Sequence, residues 1–437
     1  MIRLYSFIAV CFPAFTFAYN SNHCVDTGAK QAKNKEYRLV SKNAPESFED
    51  RLAINPRYET ASALLKLPDF NGAPGDFNHV IQLDDTSALV YDNRETAKNK
   101  SRDIEGGNDE YTKAIISDPG NYIAYNNRGR AKIIAKDYNG AINDLDQAII
   151  LNPKYTQAYF NRGNAKVGLN DYEGAIADYT QTILLNGRYV FAFKNRGEAK
   201  AQLHDYKGAM ADYAKAIILY SPYAEVYYDK AKIKSDLSDF DGAIDDFTHA
   251  ISLKPGYMVA YYDRGLLAYK QQDYKGAISD FNEAIGLSPD FLKAYYSRGI
   301  AESKTEDFEA AFADYTKIIE SNPGYTDAYL WRGAANMDLK NFIRAIDDFN
   351  KVITLAPDNA CALYLAGVCE EKLYNYGNAM LDFDRAIKIN PQYAEVYNSR
   401  AEISYRLGKR SEARSDWKKA IELGNTAAVD NMKKYGK

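Results

Sequence analysis

The sequence repeats itself with a period of 34 residues over most of its length. A stretch of the form Asp-Tyr/Phe-x-Gly-Ala begins at Asp137, Asp171, Asp205, Asp239 and Asp273, and it continues in a degenerate form from Asp307, Asn341 and Asn375. A fixed period of this length indicates that one supersecondary unit is used many times. The chain must therefore fold as an array of similar units rather than around one large core.

Each unit contains two apolar stripes of helical spacing, separated by a short polar corner. Most units end in a proline such as Pro153, which cannot continue the preceding helix. Small residues such as Gly163 and Ala175 allow neighbouring backbones to approach closely. The unit therefore reads as helix, turn, helix and stop, and such a pair buries its apolar face only by stacking on its neighbours.

These residues resemble the tetratricopeptide repeat (TPR) family. The unit from Tyr122 matches the family's small and aromatic positions with Tyr125, Gly129, Ala141, Leu145, Ala148 and Pro153. The next unit departs from the pattern at Thr182 and Gly187. Nine clear units start at Tyr122, Thr156, Val190, Ala224, Met258, Leu292, Thr326, Ala360 and Ala394. The resemblance implies an all-α fold, a right-handed superhelical α-solenoid of 34-residue helix-turn-helix repeats.

The remaining segments complete the expected organisation. Residues 1–18 read as a signal peptide, because Arg3 precedes an apolar run and Thr16-Phe17-Ala18 forms a small-residue cleavage site. An uncleaved anchor or a buried helix is the alternative reading of this run. We expect a linker over 19–50, a degenerate repeat or N-terminal cap over 51–85, and a weak TPR over 86–121. Nine TPR repeats over 122–427 and a capping helix over 428–437 complete the chain. The protein is expected to be exported, and periplasmic or secreted if it is bacterial.

Composition argues against several classes of function. Asp and Glu number 59 and Lys and Arg 55, so no strong positive field favours nucleic acid. The 4 histidines are scattered and no catalytic or phosphate-binding motif is recognisable, so we predict a non-enzymatic protein without metal or cofactor. No apolar run beyond the signal is long enough to cross a membrane.

The two polar residues of the recurring Asn-Arg pair must have different roles, because adjacent residues of a helix lie about 100° apart. Counting each repeat from the start of its first helix, the arginine at position 7 faces the protein. An aspartate occupies position 23 of all nine clear units. We predict a structural ladder between these residues, with the aspartates in reach of a guanidinium from a stacked first helix. Its members include Arg128, Arg162, Arg196, Asp144, Asp178 and Asp212.

The asparagine at position 6 lies on the flank of the concave groove that the resemblance implies. A line of these amides consists of Asn93, Asn127, Asn161 and Asn195. An amide supplies both a donor and an acceptor, and in some TPR superhelices such a ladder binds the backbone of an extended peptide. The alternative is that the asparagines cap or solvate the helix.

The second half of the groove is apolar. Its predicted wall, which we call the apolar wall, consists of Tyr262, Leu266, Tyr269, Tyr296, Ile300, Leu330, Met337 and Tyr364. A contiguous apolar patch on a concave face is typical of a binding surface. Packing between successive first helices, or coverage by the N-terminal linker, is the alternative.

We therefore expect a protein–protein interaction scaffold that binds a peptide or protein segment in the groove, in cell-envelope assembly or regulation. The alternatives are a secreted host-interaction protein and a cochaperone-like TPR adaptor. The sequence does not name the partner, and self-association of the chain through the tyrosine-rich groove remains open.

Overall fold

The computed structural model describes residues 105–435, and every regular element in this range is an α-helix. The expected signal peptide, linker and degenerate repeat lie outside the described residues, as do Asn93 and the first part of the weak repeat. The described chain divides by its contacts into two compact units. The first, the N-terminal unit, ends at Pro255, and the second, the C-terminal unit, begins at Gly256.

The N-terminal unit contains nine helices among its described residues. They are α1 (Glu105–Ser117), α2 (Tyr122–Ile134), α3 (Tyr138–Leu151), α4 (Thr156–Gly168), α5 (Tyr172–Leu185), α6 (Val190–Gln202), α7 (Tyr206–Leu219), α8 (Ala224–Asp236) and α9 (Phe240–Leu253). Each even-numbered helix of this unit is the first helix of a repeat, and the odd-numbered helix after it is the second.

The C-terminal unit contains eleven helices over its described part. They are α10 (Met258–Lys270), α11 (Tyr274–Leu287), α12 (Leu292–Lys304), α13 (Phe308–Ser321), α14 (Thr326–Asp338), α15 (Phe342–Leu355), α16 (Ala360–Lys372), α17 (Tyr376–Ile389), α18 (Ala394–Arg406), α19 (Arg410–Glu422) and α20 (Thr426–Tyr435). The final helix α20 begins two residues before the predicted capping segment.

The recurring Asp-x-x-Gly motif forms the corner between the two helices of a repeat. The Asp137 carboxylate accepts a hydrogen bond from the Gly140 N–H at 3.0 Å and caps α3. The residue before this aspartate has a positive φ, for example 64° at Lys136, which reverses the chain direction. The cap is lost where asparagine replaces the aspartate, since the side chains of Asn341 and Asn375 make no capping hydrogen bond, whereas Asp307 still accepts from the Ala310 N–H.

The core of each repeat consists of small residues facing one large ring or leucine. In the repeat of α4 and α5, Ala175 and Tyr179 are buried, and a Cβ atom at Gly163 would lie 2.6 Å from Cε1 of Tyr179. Only glycine allows this approach between the two helices. Thr182, which replaces the usual alanine, is also buried and donates its hydroxyl to the carbonyl of Asp178 at 2.9 Å. The departure from the family pattern is therefore accommodated without an unpaired polar group.

Candidate functional site

The predicted arginines and aspartates meet within one repeat. Arg196 donates from Nε and Nη2 to both carboxylate oxygens of Asp212, at 2.9 and 2.7 Å. Arg128 binds Asp144 and Arg162 binds Asp178 in the same two-pronged geometry. A planar guanidinium matches a carboxylate in this way, so these pairs fix the packing of the first helix against the second.

The remaining guanidinium nitrogen reaches the preceding repeat. Nη1 of Arg196 donates to Thr180 at 3.0 Å, and Nη1 of Arg162 donates to Asp146 at 2.6 Å. The ladder therefore joins consecutive repeats through this third bond, while the two-pronged pair stays inside one repeat. Where Ala366 replaces the arginine, burial raises the pKa of Asp382, which has only Arg385 at 3.4 Å.

Sequence reasoning missed an aromatic partner of this ladder. The cation at position 7 lies over the ring at position 4 of the same helix, with centroid distances between 5.2 and 5.7 Å. These rings are Tyr125, Tyr159, Phe193, Tyr227, Tyr261, Tyr295, Tyr329 and Tyr397. The aromatic-x-x-Arg/Lys spacing, one helical turn, was the available signal.

The asparagines of the N-terminal unit bind one another between repeats. Asn161 donates to Asn126 at 2.9 Å, and Asn195 donates to Asn164 at 3.0 Å. Asn127 accepts from Asn126 at 3.1 Å within its own helix. Each amide can make further hydrogen bonds beyond these, but Asn161 is only 9% exposed. The amide row thus links successive first helices, and its freely accessible part is small.

A similar junction recurs at other described repeats with different chemistry. Position 6 of one repeat meets position 5 of the repeat before it in Asn161–Asn126, whereas Asn195 meets Asn164 at position 9. The C-terminal unit has a hydroxyl pair, Tyr262 and Ser297 at 3.3 Å, and an amide pair in which Asn431 of α20 donates to Asn398 at 3.0 Å. Because Asn431 stands at position 6 of its helix, α20 packs on α18 as another first helix would.

The predicted apolar wall is largely packed between helices. The ring of Tyr262 lies 5.7 Å from Phe281 of its own repeat and 4.9 Å from Phe291 at the start of the next. Leu330 is only 1% exposed. Ile300, Met337 and Tyr364 are also buried, whereas Tyr262, Leu266, Tyr269 and Tyr296 keep some exposure. The accessible apolar surface therefore lies on α10 and the start of α12.

A charged cluster occupies the point where the amide row stops in the N-terminal unit. Lys194 forms an ion pair with Glu198 at 2.6 Å and lies 3.9 Å from Asp229. Oδ2 of Asp229 is buried and accepts no hydrogen bond. Burial raises the pKa of Asp229 to about 7, against the opposing effect of Lys194. This carboxyl therefore titrates near neutral pH.

The structure has a row of exposed aliphatic side chains that the sequence analysis did not predict. Ile116, Ile150, Leu184 and Ile218 occupy the second-last position of α1, α3, α5 and α7, and each is at least 67% exposed. In the C-terminal unit the same position carries Gly286, Glu320, Thr354 and Lys388. The N-terminal unit thus presents an apolar row on its second helices, which we call the outer row, separate from its first helices.

Over residues 105–435 no group of three His, Cys, Asp or Glu side chains is arranged to hold a metal ion. None of the helices described in this range has the length and apolar character needed to cross a membrane.

The sequence profile of the tetratricopeptide repeat family matches residues 128–179, 160–224, 228–290 and 296–360, which together make up more than half of the chain. The chain belongs to the tetratricopeptide repeat family. Members of this family serve in general as scaffolds for protein interactions, so the TPR fold points to a protein or peptide partner for this chain. A comparison with curated proteins finds no match.

Solved TPR structures share the fold with this TPR protein at low identity. YrrB, described as a TPR protein with an unusual peptide-binding site, is 24% identical; the alignment covers 43% of this chain and 96% of YrrB, with a TM-score of 0.40. Yeast Tom70 is 15% identical, with 85% and 92% covered and a TM-score of 0.35. PilF of Pseudomonas aeruginosa is 16% identical, with 50% and 95% covered and a TM-score of 0.42. At these identities the likeness concerns the fold alone.

Proposed function

We propose that this TPR protein is a non-enzymatic scaffold that holds a peptide or protein segment against its first helices. The observation that carries the proposal is the alignment of polar and apolar side chains of successive first helices, at positions 5, 6, 9 and 12, along one face of each unit. In the N-terminal unit this face carries the amide side chains of Asn127, Asn164 and Asn195, each of which has both donor and acceptor atoms. In the C-terminal unit it offers the partly exposed Leu266 and Tyr269.

The proposed setting is the cell envelope or the exterior, where the protein assembles or regulates a complex. This setting rests on the sequence of residues 1–18, which reads as an export signal. A secreted host-interaction protein and a cochaperone-like adaptor are the alternative roles. A fold of this kind serves many partners, so the partner has to be found by experiment.

The outer row supports a second candidate surface for the same function. Four aliphatic side chains repeated in register, with most of their surface in water, are unusual on a soluble protein. A partner that binds there would contact the second helices and leave the amide row and Leu266 uncovered.

A crosslinking pull-down from the native extract tests these surfaces with four forms of the full chain. They are the wild type, Asn127→Ala/Asn195→Ala, Leu266→Ser/Tyr269→Ser, and Ile150→Ser/Leu184→Ser. All four must first show equal helical content. We expect the wild type and the outer-row variant, Ile150→Ser/Leu184→Ser, to retain a partner. At least one of the other two variants, which change first helices, should lose it. If only the outer-row variant failed to recover the partner, the binding site would lie on the second helices. Equal recovery by all four forms would contradict binding at either surface.

A further inference from the structure

The position-23 aspartates of the N-terminal unit each lie between two cations. Besides the arginine or lysine at position 7, a lysine at position 11 reaches the carboxylate at 2.7–2.8 Å. These lysines are Lys132, Lys166, Lys200 and Lys234. The negative charge of each of these buried aspartates is therefore fully compensated by the two cations beside it.

The repeat of α12 and α13 reverses the charge at that position. Glu302 replaces the lysine and is only 7% exposed. Its Oε1 atom lies 3.5 Å from Nε of Arg298, and Nη2 of the same arginine binds Asp314 at 2.6 Å. Oε2 of Glu302 is buried and has no hydrogen-bond partner. Two buried carboxyl groups thus share one guanidinium.

Among the charged groups that act on Glu302, one is a cation, Arg298 of α12. The others are the carboxyl groups of Asp314 on α13 and of Asp307 in the corner before it. From α11, Asn282 accepts the remaining Nη1 donor of Arg298 and is uncharged. Burial, and after it the negative charge of Asp314, raise the pKa of Glu302 to about 8 against the opposing effect of Arg298. If both carboxyls were ionised, one buried negative charge would be uncompensated, which is costly.

We propose that Glu302 and Asp314 hold one proton between them at neutral pH, and that this proton makes the repeat of α12 and α13 a pH-sensitive joint of the C-terminal unit. In the unfolded chain a glutamate releases its proton near pH 4.3. Between that pH and about 8 the folded state therefore binds more protons than the unfolded state. The stability that this proton contributes is complete at a pH below the pKa of the glutamate in the unfolded chain. It is lost as the pH rises through the pKa of Glu302 in the folded protein.

The joint lies beside the apolar wall. Tyr296 and Ile300, two predicted members of that wall, stand on the same helix as Glu302. Ionisation of the second carboxyl weakens the packing of α12 on α13 and so loosens the helix that presents these side chains.

Thermal unfolding of the full chain, followed by tryptophan fluorescence at about pH 5.5 and about pH 8.5, tests the proposal. Both tryptophans, Trp331 and Trp417, lie in the C-terminal unit. We expect the wild-type midpoint to fall by about 4 °C or more between the two conditions, and that of Glu302→Gln to fall by less than half as much. Glu309→Gln, which removes an exposed carboxylate of the same repeat, serves as the matched control and should follow the wild type.

Only the difference between variants is interpreted, because burial also raises the pKa of Asp338 to about 6 in the same unit. Glu302→Lys provides an independent second variant, since it recreates the lysine–aspartate pair of four other repeats. We expect Glu302→Lys to unfold at a higher temperature than the wild type at pH 8.5. Its unfolding midpoint should also change with pH as little as that of Glu302→Gln. A wild-type pH dependence retained in both Glu302 variants would overturn the proposal.

Discussion

At the scale of single residues, the buried aspartate at position 23 shows how a polar residue can belong to a core. Asp212 is only 4% exposed, yet Arg196 and Lys200 both bind it at less than 3 Å. Burying a carboxylate is unfavourable unless its charge and its lone pairs are satisfied, and here both conditions hold. In the described repeats of the N-terminal unit, the aspartate and its two cations recur together.

Arg196→Met is expected to lower the free energy of unfolding by about 2 kcal/mol, because Asp212 loses a two-pronged partner and keeps only Lys200. Urea unfolding followed by far-UV circular dichroism measures the change. The double variant Arg196→Met/Asp212→Leu should recover part of the loss, since it removes the buried charge as well. An unchanged unfolding midpoint in the single variant would argue against a structural role for the ladder.

At the scale of the helices, the contact within a repeat is set by small residues opposite large rings. A Cβ atom at Gly163 would meet the Tyr179 ring, whereas one at Gly286 near the end of α11 would meet no atom within 4 Å. Glycine is thus required at position 163, whereas at position 286 a larger residue would meet no neighbouring atom. The difference lies in the opposing helix and not in the helix that carries the glycine.

Gly163→Ala should destabilise the chain by about 1–3 kcal/mol through overpacking against Tyr179. Gly286→Ala is the matched control and should be neutral or stabilising by up to about 1 kcal/mol, because alanine favours the helix and the space is open. Urea midpoints of the two variants provide the comparison. Equal effects would show that helix propensity, and not the approach of α4 to α5, governs this position.

At the scale of the whole molecule, the described chain consists of two compact units, one ending at Pro255 and one beginning at Gly256. In a repeat protein each helix pair contacts only the repeats next to it, so unfolding need not be a single cooperative event. Fluorescence distinguishes the two units, because Trp331 and Trp417 are the protein's 2 tryptophans and both belong to the C-terminal unit.

We expect guanidinium unfolding curves from tryptophan fluorescence and from far-UV circular dichroism to differ, since the first reports only the C-terminal unit and the second reports both. Comparison at matched denaturant concentrations tests this directly. Coincident curves would show that the array unfolds as one cooperative block.

The sequence was sufficient for the local structure. The nine first helices begin at the residues predicted from the period, from Tyr122 to Ala394. The reason is that helix starts and stops depend on near neighbours, as when Asp137 caps α3 three residues ahead. The all-α repeat fold and membership of the TPR family follow from the same short-range pattern.

The contacts between repeats were beyond the sequence pattern. Tyr262 and Leu330 were predicted as members of the apolar wall, with packing between helices as the alternative. The ring of Tyr262 packs against Phe281 and Phe291, and the side chain of Leu330 is almost fully buried. Two of the asparagines predicted to bind a peptide, Asn161 and Asn195, donate to asparagines of the preceding repeat. The candidate face is therefore smaller than the sequence suggested.

The sequence alone determined where each of the nine first helices begins, which residues recur and which family the chain belongs to, because all of these depend on the order of residues within one repeat. The tertiary structure decided which side chains meet across repeats, for example that Asn161 donates to Asn126 of the preceding repeat. Such meetings depend on the distance and angle between packed helices, and no pattern within a single repeat specifies those quantities.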